Sequence, residues 1–184
     1  MSEGERTLLV DASVWISLSE VGACDLIRNI NTHVKIPVAV AKEIETDPGA
    51  TKLRNASGNW VKKAEPILKT GNLLDERADY VETAAAHLGV DETDTHAGDV
   101  ALLALALREP NPVVITDDKP LRQACKSLSI PVSGSIGILV RSVELGELSP
   151  EEAKSKLYAM DEVGARLSAS LVKRAEKLID DASD

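Results

Sequence analysis

Residues 98–118 read GDVALLALALREPNPVVITDD, and this stretch decides the fold. Val100 through Leu107 is apolar on every side, so the helix it forms is buried all round rather than laid on a surface. Pro110 and Pro112 close that helix. Val113-Val114-Ile115-Thr116 then reads as a β-branched strand stopping at Asp117-Asp118. A buried helix feeding a short apolar strand, with no polar alternation, is the pattern of a βαβ unit in a parallel sheet covered on both faces.

The same pattern extends in both directions. On the amino-terminal side, Leu8-Leu9-Val10 is a buried strand ending at Asp11, followed by helical patterns over 12–18 and 23–30. Val34-Lys35-Ile36 is a second strand, stopped by Pro37, and residues 37–46 read as a helix with proline in its tolerated first turn. Residues 47–59 are rich in breakers and read as a loop, and residues 60–64 as a short strand. A helix over 73–88 has apolar residues at 74, 78, 81, 84, 85 and 88. On the carboxy-terminal side come a helix over 120–128, a strand beginning at Ile130-Pro131-Val132, and a helix over 135–145 ended by Gly146. Ser149-Pro150-Glu151-Glu152 is a helix start, with Ser149 as cap and a glutamate at the third position. The last segment, 165–179, is amphipathic, with Leu167, Leu171, Ala175 and Leu178 on one stripe. The fold class is therefore α/β with a mostly parallel sheet: a domain over residues 1–146 and a helical extension over 147–184, packed on that domain or on a dimer partner.

Composition limits the classes of function. The chain has 184 residues, 43% hydrophobic but only 2% aromatic, with two Trp, two Tyr and no Phe, so its core is aliphatic. No apolar run approaches the ~18 residues that span a bilayer, and the amino terminus lacks the order of a signal peptide. Cys24 and Cys125 make no metal or redox spacing and read as small buried hydrophobes in a cytoplasmic protein. Thirty Asp and Glu against 21 Lys and Arg give a formal charge of −9, which excludes coating a nucleic acid by bulk electrostatics. It leaves open a cleft whose sign is reversed by basic residues or a divalent ion.

Ligands of parallel α/β sheets bind at the carboxyl ends of the strands, and this sequence puts acids there. Asp11 follows the first strand, and Asp117-Asp118 follow the strand over 113–116. Asp99 opens the all-apolar helix, and Glu43 lies about two turns past Ile36. Successive separations of 32, 56 and 19 residues from Asp11 to Glu43, Asp99 and Asp118 mean that only the fold can bring them together. Gathered in one cleft, such charges repel unless a cation binds or protons are taken up. An all-oxygen set suits Mg²⁺ or Mn²⁺ better than Zn²⁺. Each acid alone also has an ordinary structural role: Asp11 as a helix cap, Asp99 and Asp94 as first-turn dipole partners, Glu43 as a solvated helix residue, Asp117-Asp118 as turn formers. His33, His87 and His96 show no ligand spacing, and Trp15 and Trp60 read as packing residues.

The ordered set resembles the PIN-domain nucleases, most closely the small prokaryotic branch that includes VapC-like toxins. The stretches that carry the likeness are Leu8-Leu9-Val10-Asp11-Ala12-Ser13, Pro37-Val38-Ala39-Val40-Ala41-Lys42-Glu43-Ile44, Gly98-Asp99 with the apolar run after it, and Ile115-Thr116-Asp117-Asp118-Lys119-Pro120-Leu121-Arg122. They are joined by Ser133-Gly134-Ser135-Ile136-Gly137, and the likeness runs over residues 7–145. Gly146-Glu147-Leu148 and Arg166-Leu167-Ser168 resemble an extension seen in some members. The resemblance implies a three-layer α/β/α fold and a ribonuclease dependent on Mg²⁺ or Mn²⁺. It implies Asp11, Glu43, Asp99 and Asp118 as metal-holding catalytic residues, with Asp117 in reserve. Ser13 and Thr116 would be hydroxyl partners beside the metal. The expected reaction is in-line attack of water on an RNA phosphodiester, leaving a 3′-hydroxyl and a 5′-phosphate. Lys119 and Arg122 are candidates for phosphate contacts, against the reading of solvated helix charge. Partners are the RNA, an antitoxin protein if the chain is a toxin, and a second copy in a homodimer.

This chain departs from a minimal member in its longer 47–72 excursion and in the added charge of Asp91, Glu92 and Asp94. The rival reading from another class is a PIN fold without activity that holds a protein or RNA partner. Phosphotransfer folds with acidic pockets fit less well. A haloacid-dehalogenase-like enzyme needs a second aspartate where Ser13 stands, and a receiver needs its acceptor after a middle strand.

Overall fold

The computed structural model describes residues 6–30, 33–65, 74–90, 97–165 and 167–183. Asp91, Glu92, Asp94, His96 and Arg166 lie outside the described residues. The chain runs β1 (Thr7–Val10), α1 (Ala12–Glu20), α2 (Asp25–Asn29), β2 (His33–Pro37), α3 (Val38–Glu43), α4 (Gly49–Ala56), β3 (Val61–Ala64) and α5 (Leu74–Leu88). It continues with α6 (Ala97–Arg108), β4 (Pro112–Ile115), α7 (Lys119–Ser127), β5 (Val132–Ser133), α8 (Ser135–Glu144), α9 (Pro150–Met160) and α10 (Ala169–Asp181).

The five strands form one parallel sheet in the order β3-β2-β1-β4-β5. β1 lies at its centre, where Leu8, Leu9 and Val10 are buried, as the unalternating apolar run requires. The order steps outward from β1 through β2 to β3, then restarts at β4 and runs to β5 on the other side. The carboxyl ends of β1 and β4 therefore flank the point where the direction of winding reverses.

α6 buries every residue from Val100 to Ala106 and packs against β1, β2 and β4 as well as α3, α5 and α7. That environment explains an apolar helix with no polar face. Truncating Leu102, Leu103 or Leu105, none of which is exposed, to alanine would cost about 2–5 kcal/mol each. The core is aliphatic as composition required. Trp15 is the one fully buried aromatic among the described residues, its Nε1 donating to the Gly49 carbonyl at 3.1 Å.

Two expectations are corrected. Residues 47–59 are not a loop, since α4 occupies Gly49–Ala56. The breakers stand at its ends: Pro48 precedes the first turn and Gly58, at φ 77°, follows the last. Between them Gly49, Leu53 and Ala56 are buried, and Asp47 Oδ1 accepts from Thr51 N at 3.0 Å. In the last helix, the stripe that docks is set by Ala175 and Ile179, both buried, with Val172 half-buried beside them. Leu171 and Leu178 remain 40% and 43% exposed. Ala175 of the expected stripe therefore docks, and contact with α8 and α9 buries Ile179 in place of its neighbour Leu178.

α9 opens with the expected capping box, in which Ser149 Oγ accepts from Glu152 N and Glu152 Oε2 accepts from Ser149 N. Ala153, Leu157 and Met160 bury its inner face. α9 and α10 pack on each other and on α8, and α9 also meets α1, with Lys156 Nζ donating to the Val21 carbonyl at 3.1 Å.

Candidate active site at the carboxyl edge of the sheet

Asp11 is the first residue past β1, and its backbone N–H extends the ladder by donating to Ile115 O at 3.0 Å. Its side chain caps α1. Oδ1 accepts from Ala12 N at 2.7 Å, while Oδ2 accepts from Ser13 Oγ at 2.5 Å and from Thr116 Oγ1 at 2.8 Å. Asp11 is only 5% exposed. Among the described residues it has three hydrogen-bond donors and no ion pair. A buried carboxylate held by neutral donors alone is costly unless something else balances its charge.

Thr116, fully buried at the end of β4, joins the two sequence motifs. Its Oγ1 donates to Asp11 and accepts from Asp118 N at 3.0 Å. Asp118 then caps α7, Oδ1 accepting from Leu121 N at 2.8 Å, with Pro120 in the first turn. Asp117 faces the other way. Its N–H donates to Ser13 Oγ at 3.3 Å, and its carboxylate accepts from Ser135 N at 3.0 Å and from Ser135 Oγ. Gly134, the residue before α8, offers no side-chain cap of its own, so Asp117 caps α8 from across the sheet. A Cβ on Gly134 would collide with Asp117 Oδ1, which accounts for glycine there.

Glu43 meets the first turn of α6 at another glycine, Gly98. Glu43 ends α3, Asp99 lies in the first turn of α6, and these helices pack together. A Cβ on Gly98 would overlap the Glu43 carboxylate, so glycine lets that carboxylate rest on the first turn of α6 beside Asp99. Helix amino termini thus face the acids throughout: α1 faces Asp11, α6 faces Glu43 and Asp99, α7 faces Asp118 and α8 faces Asp117. The partial positive charge of each terminus offsets some of the repulsion among them.

The basic candidates take different positions. Lys119 is exposed in the first turn of α7. Arg122 Nη1 donates to the carbonyls of Thr116 and Ser133, each at 2.8 Å, tying the ends of β4 and β5 together. Ser135 and the two glycines escaped the list of candidate residues. Ser133-Gly134-Ser135 was visible as a turn, but a carboxylate capping a helix from another strand leaves no spacing signal. Cys24 and Cys125 are buried, and burial pushes their thiols up to about 12 and about 11. Neither supplies a thiolate near neutral pH.

The donors suit a hard divalent cation. They are carboxylate oxygens with lone pairs remaining after capping, and no thiolate competes. Thr116 links Asp11 to the backbone of Asp118, and Gly98 leaves room for Glu43 against the turn that carries Asp99. Among the described residues no three acidic, histidine or cysteine side chains are grouped as a ready-made ion site.

A five-stranded parallel sheet with this order, flanked by helices and carrying acids after β1 and β4, defines a PIN-type α/β/α domain. The chain belongs to the PIN-domain family: the family model described as DUF3368, PIN domain, matches residues 7–181, helices α9 and α10 included. Proteins of the PIN family are generally nucleases. No curated protein matches the chain significantly. Among the described residues no helix is long and apolar enough to cross a membrane.

Proposed function

We propose that this protein is an endoribonuclease dependent on Mg²⁺ or Mn²⁺, hydrolysing RNA phosphodiester bonds at the carboxyl edge of the sheet. The observation that carries the reading is Asp11, a buried carboxylate fixed by Ala12 N, Ser13 and Thr116 without an ion pair among the described residues. The residues that would hold the ion are Asp11, Glu43, Asp99 and Asp118, with Asp117 as the alternative member of the last pair. A bound divalent ion supplies Lewis acidity toward the phosphate and lowers the pKa of its water.

The chain's own residues prepare the site. Ser13 and Thr116 fix the orientation of Asp11, and Thr116 sets the distance between the Asp11 carboxylate and the Asp118 backbone. Gly98 leaves room for the Glu43 carboxylate against the turn that carries Asp99. Lys119, exposed beside Asp118, is available to meet a phosphate oxygen, while Arg122 holds the edge in shape from beneath. The products would carry a 3′-hydroxyl and a 5′-phosphate. An antitoxin partner and a homodimer belong to the VapC-like version of this proposal.

The second reading is an inactive PIN fold that binds a protein or RNA, favoured by the capping bonds that already occupy Asp11, Asp117 and Asp118. A cleavage assay distinguishes them. Unstructured and structured RNA is incubated with the wild type in chelator, in Mg²⁺ and in Mn²⁺, alongside Asp11→Asn. Cleavage with metal only, lost in the variant, supports the nuclease. Cleavage at full rate in chelator, or none under any condition, overturns it.

A further inference from the structure

We propose a second RNA-contact surface at the amino end of β2 and β3, a basic cavity that takes the phosphodiester backbone of single-stranded RNA away from the acids. This deepens the ribonuclease reading and rests on it for the identity of the polyanion. The cavity measures about 720 Å³, and its lining includes His33, Lys35, Asn59, Trp60, Lys62 and Lys63.

Its charge is unusual for a chain with a net charge of −9. Lys35 and Lys62 are direct register partners on neighbouring parallel strands, so both side chains project from the same face of the sheet. His33, two residues before Lys35 on β2, shares that face. Like charges opposite each other across a strand pair are unfavourable on their own. Glu109 balances one of them, its Oε1 lying 2.7 Å from Lys35 Nζ. Lys62 and Lys63 are exposed and make no ion pair among the described residues. A passing anion relieves the repulsion that remains.

Trp60 adds the second element of single-strand recognition. It is half-buried, with its ring 5.8 Å from that of Trp15, and it also lines the cavity. Lysines tracking a backbone beside an aromatic ring are the usual means of sequence-tolerant single-strand binding. Edge-strand lysines also discourage sheet-to-sheet aggregation, but that role requires neither a cavity nor a tryptophan lining it. The register fixes the relation to the acids. Thr7 pairs with His33, so Asp11, four residues on, lies level with Pro37. The cavity is thus displaced toward the amino edge by up to about 13 Å, at about 3.3 Å per residue. One strand of RNA can reach both places.

The test measures binding of a fluorescently labelled, unstructured RNA oligonucleotide by anisotropy, in chelator so that no cleavage occurs, over a range of salt. Lys62→Ala and Lys63→Ala are compared singly and together with Lys62→Arg and, as a control for bulk charge, Lys177→Ala on α10; thermal melts confirm folding. Each phosphate contact on a single strand contributes about 0.7 to the slope of log K against log salt. Lys62→Ala should therefore lose about 0.7 of slope and bind several-fold more weakly at low salt, with Lys63→Ala, on the opposite face of β3, adding less, and Lys62→Arg and Lys177→Ala close to wild type. An unchanged slope, an equal effect from Lys177→Ala, or no RNA binding by the wild type at low salt overturns the proposal. So does lysine-dependent binding of polyglutamate without RNA binding, which assigns the cavity to an acidic protein partner. The nuclease reading is scored separately by cleavage. A protein that binds through these lysines but never cleaves fails only that reading, and one that cleaves with binding indifferent to them fails only this one.

Discussion

Asp118 has a structural role and a proposed chemical one, and two substitutions separate them. Its Oδ1 caps α7 through Leu121 N at 2.8 Å. Alanine removes the cap, which costs about 1 kcal/mol within a range of roughly 0.5–2. In a domain of this size, 1 kcal/mol moves Tm by about 2–4 °C. Asparagine caps nearly as well as aspartate, so Asp118→Asn keeps that bond and removes only the charge. The lost charge has two opposed effects in the metal-free protein. Attraction to the α7 terminus, about 0.3–1 kcal/mol, disappears, and so does repulsion from the neighbouring Asp11 and Asp117. These nearly cancel, so in chelator Asp118→Asn should melt within a degree or two of wild type and Asp118→Ala several degrees lower. Saturating metal should raise the wild type further, by about 2.7 kcal/mol at 100 times the dissociation constant, and both variants much less. Both should be inactive on RNA. Differential scanning fluorimetry in chelator and in Mn²⁺, paired with the cleavage assay, reads all of this. Wild-type cleavage and a full metal response in Asp118→Asn would show that Asp118 is a cap alone and move the fourth ligand position to Asp117.

Gly98→Ala should separate activity from stability in the opposite sense. Alanine favours the helix by up to about 1 kcal/mol, while its Cβ displaces the Glu43 carboxylate, so Tm should change little as cleavage falls at least tenfold; wild-type activity in this variant removes Glu43 from the site. The raised thiols of Cys24 and Cys125 predict slow labelling by a disulfide reagent at pH 8 and rapid labelling of both in urea; fast native labelling contradicts their burial. Bonds from Ser149 hold the Glu152 carboxyl below its ordinary value of 4.5. The stability it contributes is therefore complete above that value and lost as pH falls through the lower folded one. Melts between pH 6 and 3 should show a shallower acid loss in Glu152→Gln than in wild type, and identical profiles would show that the capping box adds no pH dependence.

Most of the scaffold was legible because its signals are local. The β1 and β4 strands, the all-apolar α6 and the Ser149 cap each follow from residue type and spacing within about ten residues. α4 was not, because Asp47-Pro48-Gly49 and Ser57-Gly58 read as a continuous loop when they bound a helix whose buried residues are Gly49, Leu53 and Ala56. In α10 the expected stripe was right at Ala175, but Ile179 is buried where Leu178 was expected, since contact with α8 and α9 sets which side faces in. The acids were visible as a set. The Asp11 cap of α1 was legible too, but the Asp117 cap of α8 joins residues 18 apart and emerges only when side-chain partners are known. Arg122, one turn after Asp118, reads as a phosphate contact, and its two carbonyl bonds from Nη1 are a further role that spacing does not show.

The proposed function requires Asp11, Glu43, Asp99 and Asp118 to act on one ion. Mn²⁺ titration followed by the loss of free-ion signal in electron paramagnetic resonance tests this on the wild type, Asp11→Asn and Asp99→Asn. A single shared site predicts saturable binding by the wild type that each variant weakens at least tenfold. Binding that is lost in Asp11→Asn but unchanged in Asp99→Asn, or absent from the wild type at millimolar Mn²⁺, contradicts it.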